Sequence, residues 1–133
     1  MNALDGLRVV NTRSKAQAGE LNELLRANGA IPLTYPCIAI APVSKIGEFD
    51  DLLQQQPFDW ICLTSQNAAE MLAIRAQAIG LDRARLTTPR YAVVGAATGF
   101  ALKKHLDIDA TFIPATFAPE SMTRDCPIRA LSL

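Results

Sequence analysis

A charge excess of either sign is the first thing this 133-residue sequence lacks, since 13 Lys and Arg offset 13 Asp and Glu. Nucleic-acid surfaces carry a basic excess, so no nucleic-acid partner is expected. A small anion stays open as a ligand, because helix amides bind anions without any charged side chain. Cysteine is scarce as well. Cys37, Cys62 and Cys126 show no Cys-x-x-Cys or Cys/His spacing, so no metal is expected. Cys37 and Cys62 lie in apolar runs and read as buried free thiols. The single histidine, His105, sits late in a helical pattern between Lys104 and Leu106, a place for exposure or dipole pairing rather than catalysis. No apolar run approaches a membrane span, and MNALDGLRVV has no basic segment ahead of a long apolar stretch. No membrane partner and a cytoplasmic location are therefore expected. GxSxG, HExxH, P-loop and GxGxxG motifs are all missing, which argues against triad, metal or dinucleotide chemistry.

What is present is enough apolar residue for a core, 50% of the chain. Strand-like runs and helical periods alternate along it. Leu7–Val10 leads through a polar turn into AQAGELNELLRANG, with apolar residues at Ala18, Leu21, Leu24 and Leu25 and a stop at Asn28-Gly29. Ile31–Ile40 is extended but broken by Pro32 and Pro36, which suits a sheet edge. A helix is expected over Ile46–Gln55, a strand over Asp59–Leu63, a helix over Asn67–Ile79 and a strand over Arg90–Val94. A further helix opens at Gly95, and a last short strand covers Thr111–Ile113. Continuous apolar runs such as WICL and YAVV suit strands buried on both faces. The expected fold class is α/β, a parallel five-stranded flavodoxin-like sheet ordered 2-1-3-4-5 with helices on both faces. The tail MTRDCPIRALSL carries Pro127 and no further strand–helix unit, and reads as an ending imposed on the fold.

Three strands end alike, Val10 at Asn11-Thr12-Arg13-Ser14, Leu63 at Thr64-Ser65-Gln66-Asn67, and Val94 at Gly95-Ala96-Ala97-Thr98. Parallel strands put such turns on one sheet edge, outside the carboxyl ends where ligands bind, each at a helix start. There the unsatisfied amides and partial positive charge attract carboxylates and phosphates. Gly95-Ala96-Ala97 leaves the backbone approachable, the hydroxyls of Thr12, Thr64, Ser65 and Thr98 can donate, and Arg13 can fork onto a carboxylate. Taken singly, each turn reads first as a helix cap and Arg13 as a solvated surface charge; it is the three together that point to a site.

These pieces resemble the uroporphyrinogen-III synthase family. VVNTRSKAQAGELNELLRANGA is similar to its opening strand, Thr-Arg turn and helix. FDWICLTSQNAAEML, YAVVGAATGFAL and TFIPATFAPESM are similar to its later strand–turn motifs in order and spacing, over roughly residues 6–122. The resemblance implies cyclisation of hydroxymethylbilane, with inversion of ring D, to uroporphyrinogen III in tetrapyrrole biosynthesis. It implies no cofactor, a polycarboxylate tetrapyrrole as the small-molecule partner, and catalysis chiefly by positioning. By motif match, Thr12, Arg13, Thr64, Ser65, Asn67, Gly95 and Thr98 are the binding positions, with no catalytic residue assigned. Ser14 stands where the family usually has proline. Family members are longer and two-lobed, so the expected organisation is a 1–42 βαβ unit that belongs to the other lobe, a 43–122 flavodoxin-like lobe and a 123–133 irregular tail. The chain then reads as truncated, and its activity alone is open. The two packings compatible with this are one continuous sheet and a domain-swapped homodimer. The competing function is a flavodoxin-like small-anion binding or interaction module without catalysis.

Overall fold

A computed structural model describes residues 2–43, 47–116, 119–125 and 127. The chain divides into two compact units, Met1–Ala41 and Pro42–Leu133.

The first unit is a βαβ. Strand β1 (Arg8–Asn11) pairs in parallel with β2 (Ile31–Thr34), Arg8 opposite Ile31 and Asn11 opposite Thr34, with helix α1 (Ala18–Ala27) between them. Among the described residues β2 pairs with β1 alone, the edge position that Pro32 demands. Helix α1 stops where Asn28-Gly29 predicts. The Gly29 amide donates to Arg26 O and the Ala30 amide to Leu25 O, both at 2.9 Å, in a Schellman closure with Gly29 at φ 86°. Its packing face keeps only part of the apolar stripe, Ala18 and the half-buried Leu25. Ala18 and Asn22 are the buried positions, while Leu21 and Leu24 are exposed.

The second unit starts with α2 (Gly47–Gln55), in which Leu53 alone is buried; Ile46, the expected first residue, lies outside the described residues. Strand β3 (Trp60–Leu63) pairs in parallel with β4 (Arg90–Val93), and a single parallel bridge joins Ala92 to Phe112. Helix α3 (Gln66–Ala78) packs against α5 (Ala96–Leu106). Leu63, Ala69, Leu72, Ala76, Tyr91, Val93, Leu102 and Leu106 form the centre of one apolar core. A short helix not anticipated from the sequence, α4 (Arg83–Thr87), is capped by Asp82, whose Oδ1 accepts from the Ala84 amide at 3.1 Å. Leu86 of α4 is buried, and its carbonyl accepts the Tyr91 hydroxyl at 2.8 Å. In the tail, α6 (Pro119–Arg124) is a six-residue helix, where no helix was expected; Ser121 within it is buried and its Oγ pairs with Thr116 Oγ1 at 2.5 Å.

The α/β class and parallel pairing hold, but the five-stranded sheet does not form. The described strands make two sheets of two strands each, β1–β2 and β3–β4. The fifth strand is reduced to the Phe112 bridge: the Tyr91 amide bonds the Thr111 side chain at 3.2 Å, and Pro114 has no N–H with which to extend a ladder. The expectation of buried thiols also fails. Cys37 and Cys62 are exposed, Cys37 in an irregular segment after β2 and Cys62 on a strand whose other side has no ladder partner among the described residues. Cys126 lies outside the described residues.

Candidate functional site

The turns after β3 and β4 share one edge of the second unit. Leu63 lies opposite Val93 in parallel register, and the Val94 amide donates to Leu63 O at 3.0 Å. Both chains therefore leave the sheet at its carboxyl end, on neighbouring strands, about 5 Å apart.

The first of these turns runs through Thr64 and Ser65. Ser65 is extended (φ −153°, ψ 158°), and its Oγ accepts from the Ala68 amide at 3.1 Å, so it caps α3. Thr64 is exposed; Asn67 is half-buried in the first helical turn. One side chain thus satisfies one of the amides at this helix start, and Thr64, the residue before it, is exposed.

The second turn is built differently. Gly95 at φ 81° and ψ 157° occupies a region open essentially to glycine alone, and it offers α5 no side-chain cap. Ala96 and Ala97, both exposed, follow it with side chains too small to shield the backbone. Gly95 is itself buried, and it places the start of an eleven-residue helix, with the positive end of its dipole, at the sheet edge. Thr98 is buried at 4% exposure, so it belongs to the inner side of this turn. His105 is exposed at the far end of the same helix.

Thr12 and Arg13 belong to the first unit and are both exposed. Their turn is tied to β2's exit, with the Tyr35 amide donating to Asn11 O at 2.9 Å and the Cys37 amide to Thr12 O at 3.2 Å. The Arg13 amide donates to Asn11 Oδ1 at 3.1 Å. This turn does not open a helix directly. A further turn, closed by the Gln17 amide on Ser14 O at 2.9 Å, comes before α1, whose start at Ala18-Gly19 has no side-chain cap. The expected rim of three turns rests on the continuous sheet that is not formed. The structure brings Thr64, Ser65, Asn67, Gly95 and Thr98 to one edge of one unit, and gives Thr12 and Arg13 the corresponding edge of the other.

Two features escaped sequence reading. Asn11 and Asn22 are buried and bonded to each other, Asn11 Nδ2 to Asn22 Oδ1 at 2.9 Å; the signal was a polar residue interrupting the stripe between Leu21 and Leu24. A groove of about 420 Å³ follows β3, lined by Phe49, Leu53, Trp60, Cys62, Met71 and Arg75 among others. Arg75 there forks onto Asp50 of α2, Nε to Oδ1 at 2.6 Å, and this bond holds the Asp50 carboxyl below its usual range. No cluster of three metal-ligating side chains occurs among the described residues.

The family model for uroporphyrinogen-III synthase HemD matches residues 19–124, which is most of the chain and includes both turns of the second unit. The chain belongs to the uroporphyrinogen-III synthase family. It is 32% identical over 115 residues to the porphyrin biosynthesis protein HemD of Ruminiclostridium josui, covering 86% of this chain and 23% of that protein. It is 30% identical over 126 residues to the uroporphyrinogen-III synthase of Synechococcus elongatus, covering 93% and 47%. Among solved structures, a uroporphyrinogen III synthase from the extremely thermophilic bacterium Thermus thermophilus matches with a TM-score of 0.55 at 22% identity, over 92% of this chain and 48% of that one, which speaks for the fold. The chain spans about half the length of these two synthases. No described helix is long and apolar enough to cross a membrane.

Proposed function

We propose that this chain is a uroporphyrinogen-III synthase-type protein that binds hydroxymethylbilane through Thr12, Arg13, Thr64, Ser65, Asn67, Gly95 and Thr98, toward ring closure to uroporphyrinogen III. The observation that carries this reading is the paired carboxyl-end edge of the second unit, where the α5 amides stand without a side-chain cap beside an exposed Thr64. That edge lies within the stretch the family model matches. Carboxylates suit it, because each can take two backbone amides at the positive end of a helix dipole. On its own unit, the Thr12–Arg13 turn offers a cation with a planar fork that suits a carboxylate. Catalysis in this reading is positioning: the site holds a linear polycarboxylate folded while its ends join. A cytoplasmic location goes with it.

In this reading the macromolecular partner is a second copy of the chain, in a domain-swapped homodimer. The β1–β2 sheet supports this, since Val10, Ile31 and Leu33 are large apolar residues left exposed on it. Light scattering on a sizing column reads a dimer mass if this holds; a stable monomer overturns the swap.

The test of function is to supply hydroxymethylbilane and measure the product isomers. Isomer III above the spontaneous isomer I supports catalysis, and isomer I alone overturns it. Calorimetric titration with uroporphyrin III, a stable polycarboxylate tetrapyrrole, then separates a binding protein from one that uses the same edge for another anion.

A further inference from the structure

We infer that Asn11 and Asn22 are positioning residues, a buried amide relay that fixes the Thr12–Arg13 turn in the geometry that receives an anionic substrate. This inference rests on the reading above, in which Arg13 contacts the ligand.

Asn11 closes β1 at 3% exposure and Asn22 sits on the sheet side of α1 at 7%. A helix position that faces a sheet is ordinarily apolar, and burying two carboxamides costs free energy unless their bonds are made. Here they are made in sequence. Asn11 Nδ2 donates to Asn22 Oδ1 at 2.9 Å and to Ala18 O at 3.1 Å, while Asn11 Oδ1 accepts from the Arg13 amide at 3.1 Å. Asn22 Nδ2 then donates to Thr34 Oγ1 at 2.8 Å. Both hydrogens of the Asn11 amide are used, which also fixes its orientation. Turned over, its oxygen would face the Ala18 carbonyl and its nitrogen the Arg13 N–H.

The relay therefore runs from β2 through α1 to β1 and ends outside them, on the backbone of the exposed residue that carries the guanidinium. That last bond satisfies Asn11 Oδ1, buried with the rest of its side chain, and in doing so ties the backbone of the exposed turn to the relay. With it, the point from which the Arg13 side chain departs is set by three elements of regular structure. Thr12 is held in the same frame, between Asn11 and the bond its own carbonyl accepts from the Cys37 amide.

The test uses the full chain, uroporphyrin III titrated by calorimetry, and exchange of the Arg13 amide followed by NMR. Arg13→Gln is the reference, expected to weaken binding. Asn22→Leu fills the space and deletes the relay; it is expected to speed Arg13 exchange and to weaken binding on the order of tenfold, through misplacement of a contact rather than its removal. Asn22→Asp keeps the bonds, because a carboxylate accepts from Asn11 Nδ2 and from the Thr34 hydroxyl, and is expected to restore most of the affinity. Should Asn22→Leu fail to fold, Thr34→Val removes one bond of the relay and carries the same test with a smaller loss. The inference is overturned by a folded Asn22→Leu or Thr34→Val protein that exchanges Arg13 faster yet binds as tightly as the parent, while Arg13→Gln binds weakly. It is also overturned if Asn22→Asp is as weak as Asn22→Leu, which would trace the loss to packing. If Arg13→Gln itself binds normally, the reading of Arg13 as a ligand contact falls, and the relay's role with it.

Discussion

The two units solve the same problem, a helix laid on a parallel pair of strands, by opposite means. In Pro42–Leu133 the interface is hydrocarbon, with Leu102 and Val93 at 0% exposure and Leu72, Leu106 and Tyr91 packed around them. In Met1–Ala41 the buried centre between α1 and its strands is polar, while Leu24, Val10 and Ile31 stand more than half exposed. Apolar burial is forgiving of direction; two carboxamides are not. The first unit thereby obtains a defined Thr12–Arg13 turn from very little core, and the second obtains a stable shelf that carries two helix starts side by side, one capped by Ser65 and one opened by Gly95. If this contrast is right, the two units answer to different substitutions.

The largest effect is expected in the second unit. Leu102→Ala removes a fully buried side chain from the α5 face and leaves a cavity, and should cost about 3–4 kcal/mol. Trp60, the sole tryptophan, lies in this unit, so urea unfolding followed by its fluorescence reads the loss. Amide exchange at Asn11 and Asn22 should stay as in the parent. A parallel loss of protection there would join the two units into one cooperative block and end the comparison.

The matching substitution in the first unit is Gly29→Ala. Gly29 has φ 86°, and a Cβ there would meet Asp5 Cα and Oδ1 at 2.9 Å, the former being backbone that cannot swing away. Strain and clash together should cost about 2 kcal/mol, seen as faster exchange across α1 with Trp60 fluorescence unfolding unchanged. A neutral Gly29→Ala would mean that the turn at residues 2–7 is not seated on the end of α1.

Below these comes Tyr91, among the described residues the one buried titratable group in the hydrocarbon core. Burial pushes its phenol from 10.0 up to about 12. Between those values the unfolded chain releases the proton and the folded chain keeps it, so stability is fully present below pH 10 and falls as pH rises toward 12. Tyr91→Phe should cost about 1 kcal/mol at neutral pH through the lost bond to Leu86 O, and should flatten the alkaline fall. An equal alkaline fall in the variant would assign that titration to another group.

Sequence reading reached the elements with a local cause. Gly29 and Gly80 stop their helices by adopting positive φ, Ser65 caps α3, and Gly95 opens α5. It overreached where the cause is not local. WICL looks like a strand buried on both sides, yet apolar continuity describes what a strand could pair with, not what it does pair with, and Cys62 is exposed. Helix α4 spans five residues, too few for a period, and its mark was the Asp82 cap alone. The stripe on α1 was right at Ala18 and Leu25 and wrong at Leu21 and Leu24, because a hydrophobic period cannot register Asn22 and Asn11, two amides that satisfy each other. The candidate site divides in the same way. The caps and the glycine were legible, whereas the relay behind Thr12 and Arg13 depends on pairings eleven and twelve residues apart.

The smallest predicted effect is the sharpest probe of the first unit, because it should raise stability. Ser14 is buried at 4% exposure beside the relay, and its Oγ has no hydrogen-bond partner among the described residues. An unsatisfied buried hydroxyl costs the desolvation of the group with nothing returned, so deleting it at nearly constant shape is favourable. Ser14→Ala should therefore stabilise Met1–Ala41 by about 1 kcal/mol, measured as slower exchange of the α1 amides, with no change in Trp60 unfolding. In a unit centred on hydrocarbon, one orphan hydroxyl among many contacts would be diluted. Here the buried centre is a short chain of amides, and Ser14 is the polar side chain beside it left without a bond among the described residues. Destabilisation by Ser14→Ala would mean that the hydroxyl donates to a neighbour after all, and that the polar centre of this unit extends beyond Asn11, Asn22 and Thr34.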